Sequence, residues 1–197
     1  MPSDRHMNLT EALKTIQLAK RNGEKVIAIA LMVERILESI VVHYLFKNPS
    51  PEREFFEAHV VSSDWFSFSS KKRLVVSIVN LGNYMQGPSK AGLERSLKAV
   101  MELRNAFAHG DITVDAKGRY VIRYFSGAPK EMELDDSYWT AVERQLHDCI
   151  RTLDQLMVSM GMQAETSHSK LLDASEGKIQ VPTITDIPPN APSSPQQ

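Results

Sequence analysis

Apolar residues recur at helical spacing over most of the chain and predict a mainly α protein. The strongest pattern runs from Glu24 to Lys47, where the apolar arc is broad enough to contact more than one neighbouring element. A weaker pattern before it predicts a separate first helix that ends near Arg21, because Asn22-Gly23 is a turn signal. Further helices are predicted over residues 52–60 with Ser50 as N-cap, from a cap at Ser69 or Ser70 to about Leu81, and from a cap at Ser89 to about Gly110.

After Gly110 the apolar period changes from 3.6 to about 2. Alternating apolar residues on both sides of the turn at 115–118 predict a β-hairpin at about 111–126, which residues 131–134 extend with a short third strand. A last long helix follows, with Asp135 or Asp136 as its cap, and ends near Met160. We therefore expect a helical domain over residues 1–161, with a hairpin inserted before the last long helix.

The end of the chain has a different composition. Residues 162–197 are polar, hold half of all the prolines and lack a periodic apolar face. Such a segment cannot bury enough apolar surface to offset the entropy lost on ordering. We expect 162–197 to be a disordered, Pro-rich tail.

Composition and charge exclude several classes of protein. The single cysteine, Cys149, excludes an intrachain disulfide framework and a Cys-rich zinc site, and its place in a helical pattern predicts a buried, inert thiol. The formal net charge of −1 gives no general attraction to nucleic acid, so any contact with RNA needs a local basic patch.

The longest apolar stretch is not predicted to cross a membrane. Residues 26–46 contain Glu34, Arg35 and Glu38 near their middle. Each of these would cost about 2.5–3.5 kcal/mol at the centre of a bilayer. No signal peptide is visible in residues 1–20. The expectation is a core helix in a cytoplasmic protein without a membrane partner.

The stretch 104–110 (RNAFAHG) carries the candidate chemistry. Arg104 and His109 are separated by four residues, which places them about 140° apart around a helix. If the last turn loosens toward Gly110, both side chains can converge on one ligand. The guanidinium group of arginine can donate two hydrogen bonds to one phosphate, and histidine titrates near neutrality. The pair therefore suits acid–base chemistry on a phosphodiester. The alternative is a helix C-terminus that carries cations because the helix dipole favours them there.

Arg104 shares the apolar stripe of its predicted helix with Leu97 and Phe107. A cation on a core-facing stripe needs a partner, because an unpaired buried charge is costly. Glu34 and Glu38, one turn apart on the strongest helix, are the candidate partners. Such an acidic pair is either a solvated edge or a site that faces a cation.

Two further clusters precede the motif. Lys71, Lys72 and Arg73 lie in the first turns of a predicted helix, where the dipole disfavours cations, so they indicate an anionic neighbour and are candidates for binding RNA. Trp65-Phe66-Ser67-Phe68 lies in a connection. It is either a plug over the core or a stacking platform for bases, and the lack of interleaved basic residues favours the plug.

A helix that ends in Arg-Asn-x-x-x-His resembles the HEPN superfamily of nucleotide- and RNA-associated domains. Arg104, Asn105 and His109 match its motif position for position. The run 68–74 (FSSKKRL), followed by Leu81-Gly82 and then the motif, is similar to the mannitol-operon-repressor-like branch, which also has an acidic residue on its first long helix. The resemblance covers the layout of residues 25–160, and the inserted hairpin departs from the plain bundle.

The resemblance implies an up-and-down helical bundle and a metal-independent endoribonuclease without a cofactor. Active members of the superfamily act as homodimers in which two copies of the motif line one cleft, so a homodimer is expected here. His109 would transfer a proton, Arg104 would stabilise charge on phosphate, and Asn105 would orient His109 or hold an oxygen. The protein would be a toxin or an RNA-associated stress or defence component, with a cognate antitoxin or regulatory protein as partner. The alternative is a non-catalytic regulatory or protein-interaction module.

Overall fold

The structure is a computed structural model that describes residues 9–63 and 65–162. It is mainly helical, with one small antiparallel sheet, and the hairpin precedes the last long helix as predicted. The helices are α1 (Leu9–Leu45), α2 (Pro51–Phe56), a π-helical segment (Glu57–Val61), α3 (Phe68–Gly82), α4 (Gly87–His109) and α5 (Asp136–Ser159); the strands are β1 (Asp111–Val114), β2 (Tyr120–Phe125) and β3 (Pro129–Glu133).

The predicted break at Asn22-Gly23 is wrong, because α1 is one continuous helix through both residues. Asn22 is 1% exposed, and a Cβ on Gly23 would stand 2.7 Å from Cδ1 of Phe107. Gly23 therefore allows α4 to approach α1 closely. Packing against Phe107 compensates for the stability that the helix loses because glycine has a low helix propensity.

The broad apolar arc of α1 is fully used within one chain. This helix contacts α3, α4, α5, β1 and the π-helical segment. Val33, Leu37, Ile40 and Val41 on it are completely buried, in one continuous core with residues of all these helices. The breadth of the arc consequently does not require a second copy of the chain.

Helix starts follow the predicted capping chemistry in two cases and differ in two. Ser50 caps α2, and Asp135 caps α5 by accepting a hydrogen bond from the backbone N–H of Tyr138 at 2.7 Å. The cap of α3 is Ser67, so that helix begins earlier than predicted and draws Phe68 into the core. The cap of α4 is Gln86 in place of Ser89, without a side-chain hydrogen bond.

The sheet confirms the change of period after Gly110. β1 pairs with β2 and β2 with β3, both antiparallel, and Ile112 lies opposite Ile122. Ile122 is completely buried and β2 packs on α4. A Cβ on Gly110 would overlap the carbonyl oxygen of Ala106 and would stand 2.9 Å from Cγ1 of Ile122. Glycine is required there because the chain turns from helix to strand in contact with both.

Three other expectations concern the C-terminal segment, membrane-spanning helices and the single cysteine. The predicted tail at 162–197 lies, except for Met162, outside the described residues. In the described ranges, no helix combines the length and apolar character needed to cross a membrane. Cys149 is 0% exposed in the core, which confirms a buried thiol.

Candidate functional site

The motif occupies the last two turns of α4, at the margin of the core. The buried stripe of this helix passes through Leu103 and Ala106, whereas Arg104 is half-buried at its edge. The prediction that Arg104 belongs to the core-facing stripe is therefore wrong by one position. Asn105 and His109 are exposed. Among the described residues, none of the three motif side chains forms a hydrogen bond or an ion pair.

The last turn of α4 does not loosen. The α-helix continues to His109, and the N–H of Gly110 donates to the carbonyl oxygen of Ala106 at 2.7 Å, a regular helical spacing. A regular helix keeps Arg104 and His109 about 140° apart. His109 accordingly does not line the pocket that contains Arg104. The expected convergence of the two side chains within one chain is not found.

The partner of the two glutamates is Lys71, which corrects the predicted pairing with Arg104. The ammonium group of Lys71 donates to Oε1 of Glu34 at 2.8 Å and to Oε1 of Glu38 at 2.6 Å. Lys71 is only 3% exposed. Lys71 is thus occupied by two carboxylates and poorly placed to contact RNA directly, whereas the expected anionic neighbour is found inside the chain.

The environment of Lys71 favours its charged form. Burial by itself lowers the pKa of a lysine, but the hydrogen bonds and negative charges of Glu34 and Glu38 outweigh it, so the pKa of Lys71 lies above its ordinary value. The ammonium group remains cationic at neutral pH. It neutralises one of the two carboxylate charges and holds both side chains in place.

These groups form part of an open pocket of about 530 Å³ between α1, α4 and the connection that leads into α3. This volume lies in the range of small-molecule sites. The lining residues come from α1 (Leu31, Glu34, Arg35, Glu38), from the connection (Ser62, Ser63, Phe66, Ser67), from α3 (Phe68, Lys71) and from α4 (Arg104).

The aromatic cluster divides between the two roles considered for it. Phe68 is 5% exposed in the core and acts as a plug. Phe66 is half-buried and lines the pocket, and Trp65 is 70% exposed. The rings of Trp65 and Phe66 meet edge to face with centroids 6.0 Å apart. Of the three aromatic residues, only Trp65 is exposed enough for a base to stack on it freely.

The other two basic residues of α3 lie outside the pocket. Lys72 is half-buried and Arg73 is exposed, and neither contributes to the lining. They stay candidates for a wider contact with an anionic partner.

Arg35 and Phe66 were not predicted as site residues. A signal for Arg35 was present, because Leu31, Glu34, Arg35 and Glu38 follow the spacing i, i+3, i+4, i+7 and share one stripe of α1. For Phe66 there was no such signal, since its position depends on how the connection folds back toward α1.

Comparison of the chain with protein-family models, with curated proteins and with solved structures gave no match.

Proposed function

We propose that this protein is a metal-independent endoribonuclease of the HEPN type. The observation that carries the proposal is the accessibility of the motif: Arg104, Asn105 and His109 reach solvent and have no partner among the described residues. A structural role for Arg104 would require its ion pair with Glu34 or Glu38, but Lys71 binds both carboxylates. Groups left free at a core margin are available to a ligand.

The proposed reaction uses the ribose itself as nucleophile. The 2′-oxygen attacks the adjacent phosphorus, its proton leaves to a base, and the bond from phosphorus to the 5′-oxygen breaks as that oxygen takes a proton. His109 is suited to either proton transfer, which is typically worth about 10²- to 10⁴-fold in rate. Arg104 would stabilise the negative charge that builds on the phosphate oxygens, and Asn105 would orient His109 or bind an oxygen.

The geometry of α4 favours a reaction shared by two copies. Arg104 faces the pocket while His109 lies on another side of the helix. A cleft between two motifs, as in the symmetric homodimer that the resemblance implies, would bring an arginine and a histidine together without unwinding the helix.

The test is RNA cleavage by purified protein in the presence of EDTA. Wild type is expected to cut RNA and to leave DNA of the same sequence intact, because DNA lacks the 2′-hydroxyl. His109→Ala should cut at least ~10²-fold more slowly, while its free energy of unfolding changes by under ~1 kcal/mol, as for other surface sites. His59→Ala is the matched control, because His59 is exposed and remote in sequence from the motif. Absence of cleavage by wild type, or equal cleavage by His109→Ala, contradicts the proposal.

A non-catalytic regulatory or interaction module is the second candidate. It is favoured by the formal net charge of −1, which gives the chain no general attraction to nucleic acid. This candidate predicts that wild type cuts no RNA, and that a partner protein, such as an antitoxin, binds equally well to His109→Ala.

A further inference from the structure

The pocket beside Arg104 holds an uneven set of charges. Three cations, Lys71, Arg35 and Arg104, face two carboxylates. Lys71 alone donates to both carboxylates. The guanidinium groups of Arg35 and Arg104 consequently have no hydrogen bond or ion pair with any side chain in the described ranges. Among the described residues, the lining carries a net positive charge and two guanidinium groups that are free to donate hydrogen bonds.

Unpaired guanidinium groups at the wall of one pocket favour a ligand with paired anionic oxygens. Each guanidinium group can donate two parallel hydrogen bonds to a phosphate, in a geometry that a single ammonium group does not offer. Lys71 contributes indirectly. It is hydrogen-bonded to Glu34 and Glu38 and neutralises one of their two charges, which reduces their repulsion of an anion bound at Arg104 in the same pocket.

Part of the pocket lining is aromatic. Phe66 lines it, and the 70% exposed Trp65 lies edge to face against Phe66. Ser62, Ser63 and Ser67 add hydroxyl groups along the same connection. An exposed aromatic face beside a cationic groove is the combination on which unpaired bases stack. The volume of about 530 Å³ is that of a small-molecule site, and a double helix does not fit it.

We propose that this pocket binds one unpaired nucleotide of the RNA strand, with its phosphate on Arg35 and Arg104 and its base against Phe66 and Trp65. The inference rests on the proposed RNA cleavage and adds a binding site for one nucleotide of the substrate. Bases inside a duplex are stacked on their neighbours and cannot reach a side-chain wall, so a paired base is not expected to enter the pocket.

The binding test uses the His109→Ala protein and a short single-stranded RNA whose riboses are 2′-O-methylated, so that cleavage cannot interfere. Quenching of Trp65 fluorescence reports occupancy of the pocket, with Trp139 as a buried, constant background. Adding Arg35→Gln or Phe66→Leu should weaken binding by roughly 5- to 100-fold, the usual effect of losing one stacking or phosphate contact. Arg95→Gln and Phe55→Leu are the matched controls, because both residues are exposed and lie outside the pocket.

Two further ligands test whether the pocket prefers a nucleotide of a single strand to one in a duplex or to a free nucleotide. The same RNA in a perfect duplex, and free adenosine 5′-monophosphate, are each expected to bind at least ~10-fold more weakly than the single strand. Equal binding of the duplex overturns the inference, and so does equal binding of the free nucleotide, which would make the occupant a small molecule.

Failure of the inference and failure of the proposed function are separable. Unchanged binding in Arg35→Gln and in Phe66→Leu overturns the pocket assignment even if wild type cuts RNA. Arg35 is exposed on α1, so Arg35→Gln does not threaten folding. If wild type cuts nothing, the binding measurements still decide whether an unpaired nucleotide occupies the pocket.

Discussion

At the residue scale, one buried lysine sets the electrostatics of the site. Lys71 lies between Glu34 and Glu38 at hydrogen-bonding distance from both, and all three side chains are largely shielded from water. Removing one member of such a group leaves charge without a partner in a poorly solvated place. Arg104, in contrast, is half-buried and has no such partner among the described residues.

Substitution of these two cations should therefore destabilise the fold to very different extents. Lys71→Met strands two carboxylates and should lower the free energy of unfolding by about 3–5 kcal/mol. Arg104→Ala should lower it by under ~1 kcal/mol, because no ion pair is broken. Urea denaturation measures both values.

The triple variant Lys71→Met, Glu34→Gln, Glu38→Gln is the control for that prediction. It removes every buried charge of the group and should recover most of the stability lost by Lys71→Met, since neutral groups carry a smaller desolvation cost. Equal losses in Lys71→Met and Arg104→Ala would mean that the ion pairs of Lys71 contribute little.

The raised pKa of Lys71 makes its contribution depend on pH. A base with a raised folded-state pKa stabilises the fold fully below its unfolded value, here 10.5, and the contribution is lost as pH rises through the folded-state pKa. The stability difference between wild type and the triple variant should stay constant from pH 7 to about 10 and then fall. Constancy up to the highest pH at which both proteins fold would contradict this. The titratable side chains of Cys149 and Tyr138 are present in both proteins, so their contributions to the pH dependence cancel in the comparison.

The thiol of Cys149 should be unreactive until the protein unfolds. Burial raises its pKa to about 12, and the side chain is completely shielded. Since only the thiolate attacks a disulfide reagent, labelling at pH 8 should be at least ~10³-fold slower than in urea. Absorbance after addition of an aromatic disulfide reagent follows the reaction, and rapid labelling of folded protein would place the thiol nearer the surface.

At the scale of elements, the close approach of α1 and α4 fixes the end of the motif helix. Phe107 lies against Gly23, and its ring stacks on Trp139 of α5, with centroids 5.6 Å apart and ring planes inclined by 24°. Three helices are thus held together two residues before His109. This contact determines where the last turn of α4 stands.

Adding one methyl group to α1 tests that contact. Gly23→Ala should destabilise the protein by about 1–3 kcal/mol, because the new Cβ would overlap Phe107, whose ring is held by Trp139. In a Phe107→Ala background the same change should stabilise by about 0.5–1 kcal/mol through helix propensity. Thermal unfolding measures the change of sign.

Gly92→Ala is the matched control for Gly23→Ala. Gly92 also lies inside a helix, and its added Cβ meets nothing within 4 Å. This substitution should stabilise by up to ~1 kcal/mol. A stabilising effect of Gly23→Ala in the wild-type background would show that Phe107 moves freely.

At the scale of the whole molecule, the question is what completes the site. The exposed face of α4 is polar, with Lys90 paired to Glu94 and Lys98 to Glu102 along it. The apolar arc of α1 is used within the chain. The expectation of a homodimer therefore rests on the family resemblance and on the separation of Arg104 from His109.

We expect light scattering at tens of micromolar to report twice the chain mass of 22.2 kDa. A mixture of Arg104→Ala and His109→Ala proteins then tests the shared cleft. If each site combines an arginine and a histidine from different copies, every mixed dimer regains one intact site, and the mixture cuts RNA although neither variant does. A monomeric mass, or an inactive mixture of exchanging dimers, contradicts a shared cleft.

The sequence by itself determined the elements, except that it divided α1 in two, and most of their ends. Apolar spacing depends on local geometry, with periods of 3.6 and 2, and this placed the long helices, the hairpin at 111–126 and the buried Cys149. It also located the acidic pair and the basic run, each with the expectation of an oppositely charged neighbour.

Only the tertiary structure decided how these parts meet. Lys71 lies 33 residues from Glu38 in the chain, and its selection over Arg104 depends on how α3 packs against α1. Gly23 looked like a turn because the sequence does not show that Phe107 would pack on it. The pocket brings together residues of α1, α3, α4 and the connection before α3. Such contacts depend on distances between segments that are remote in sequence, whereas periodicity records only which side of one element faces the core.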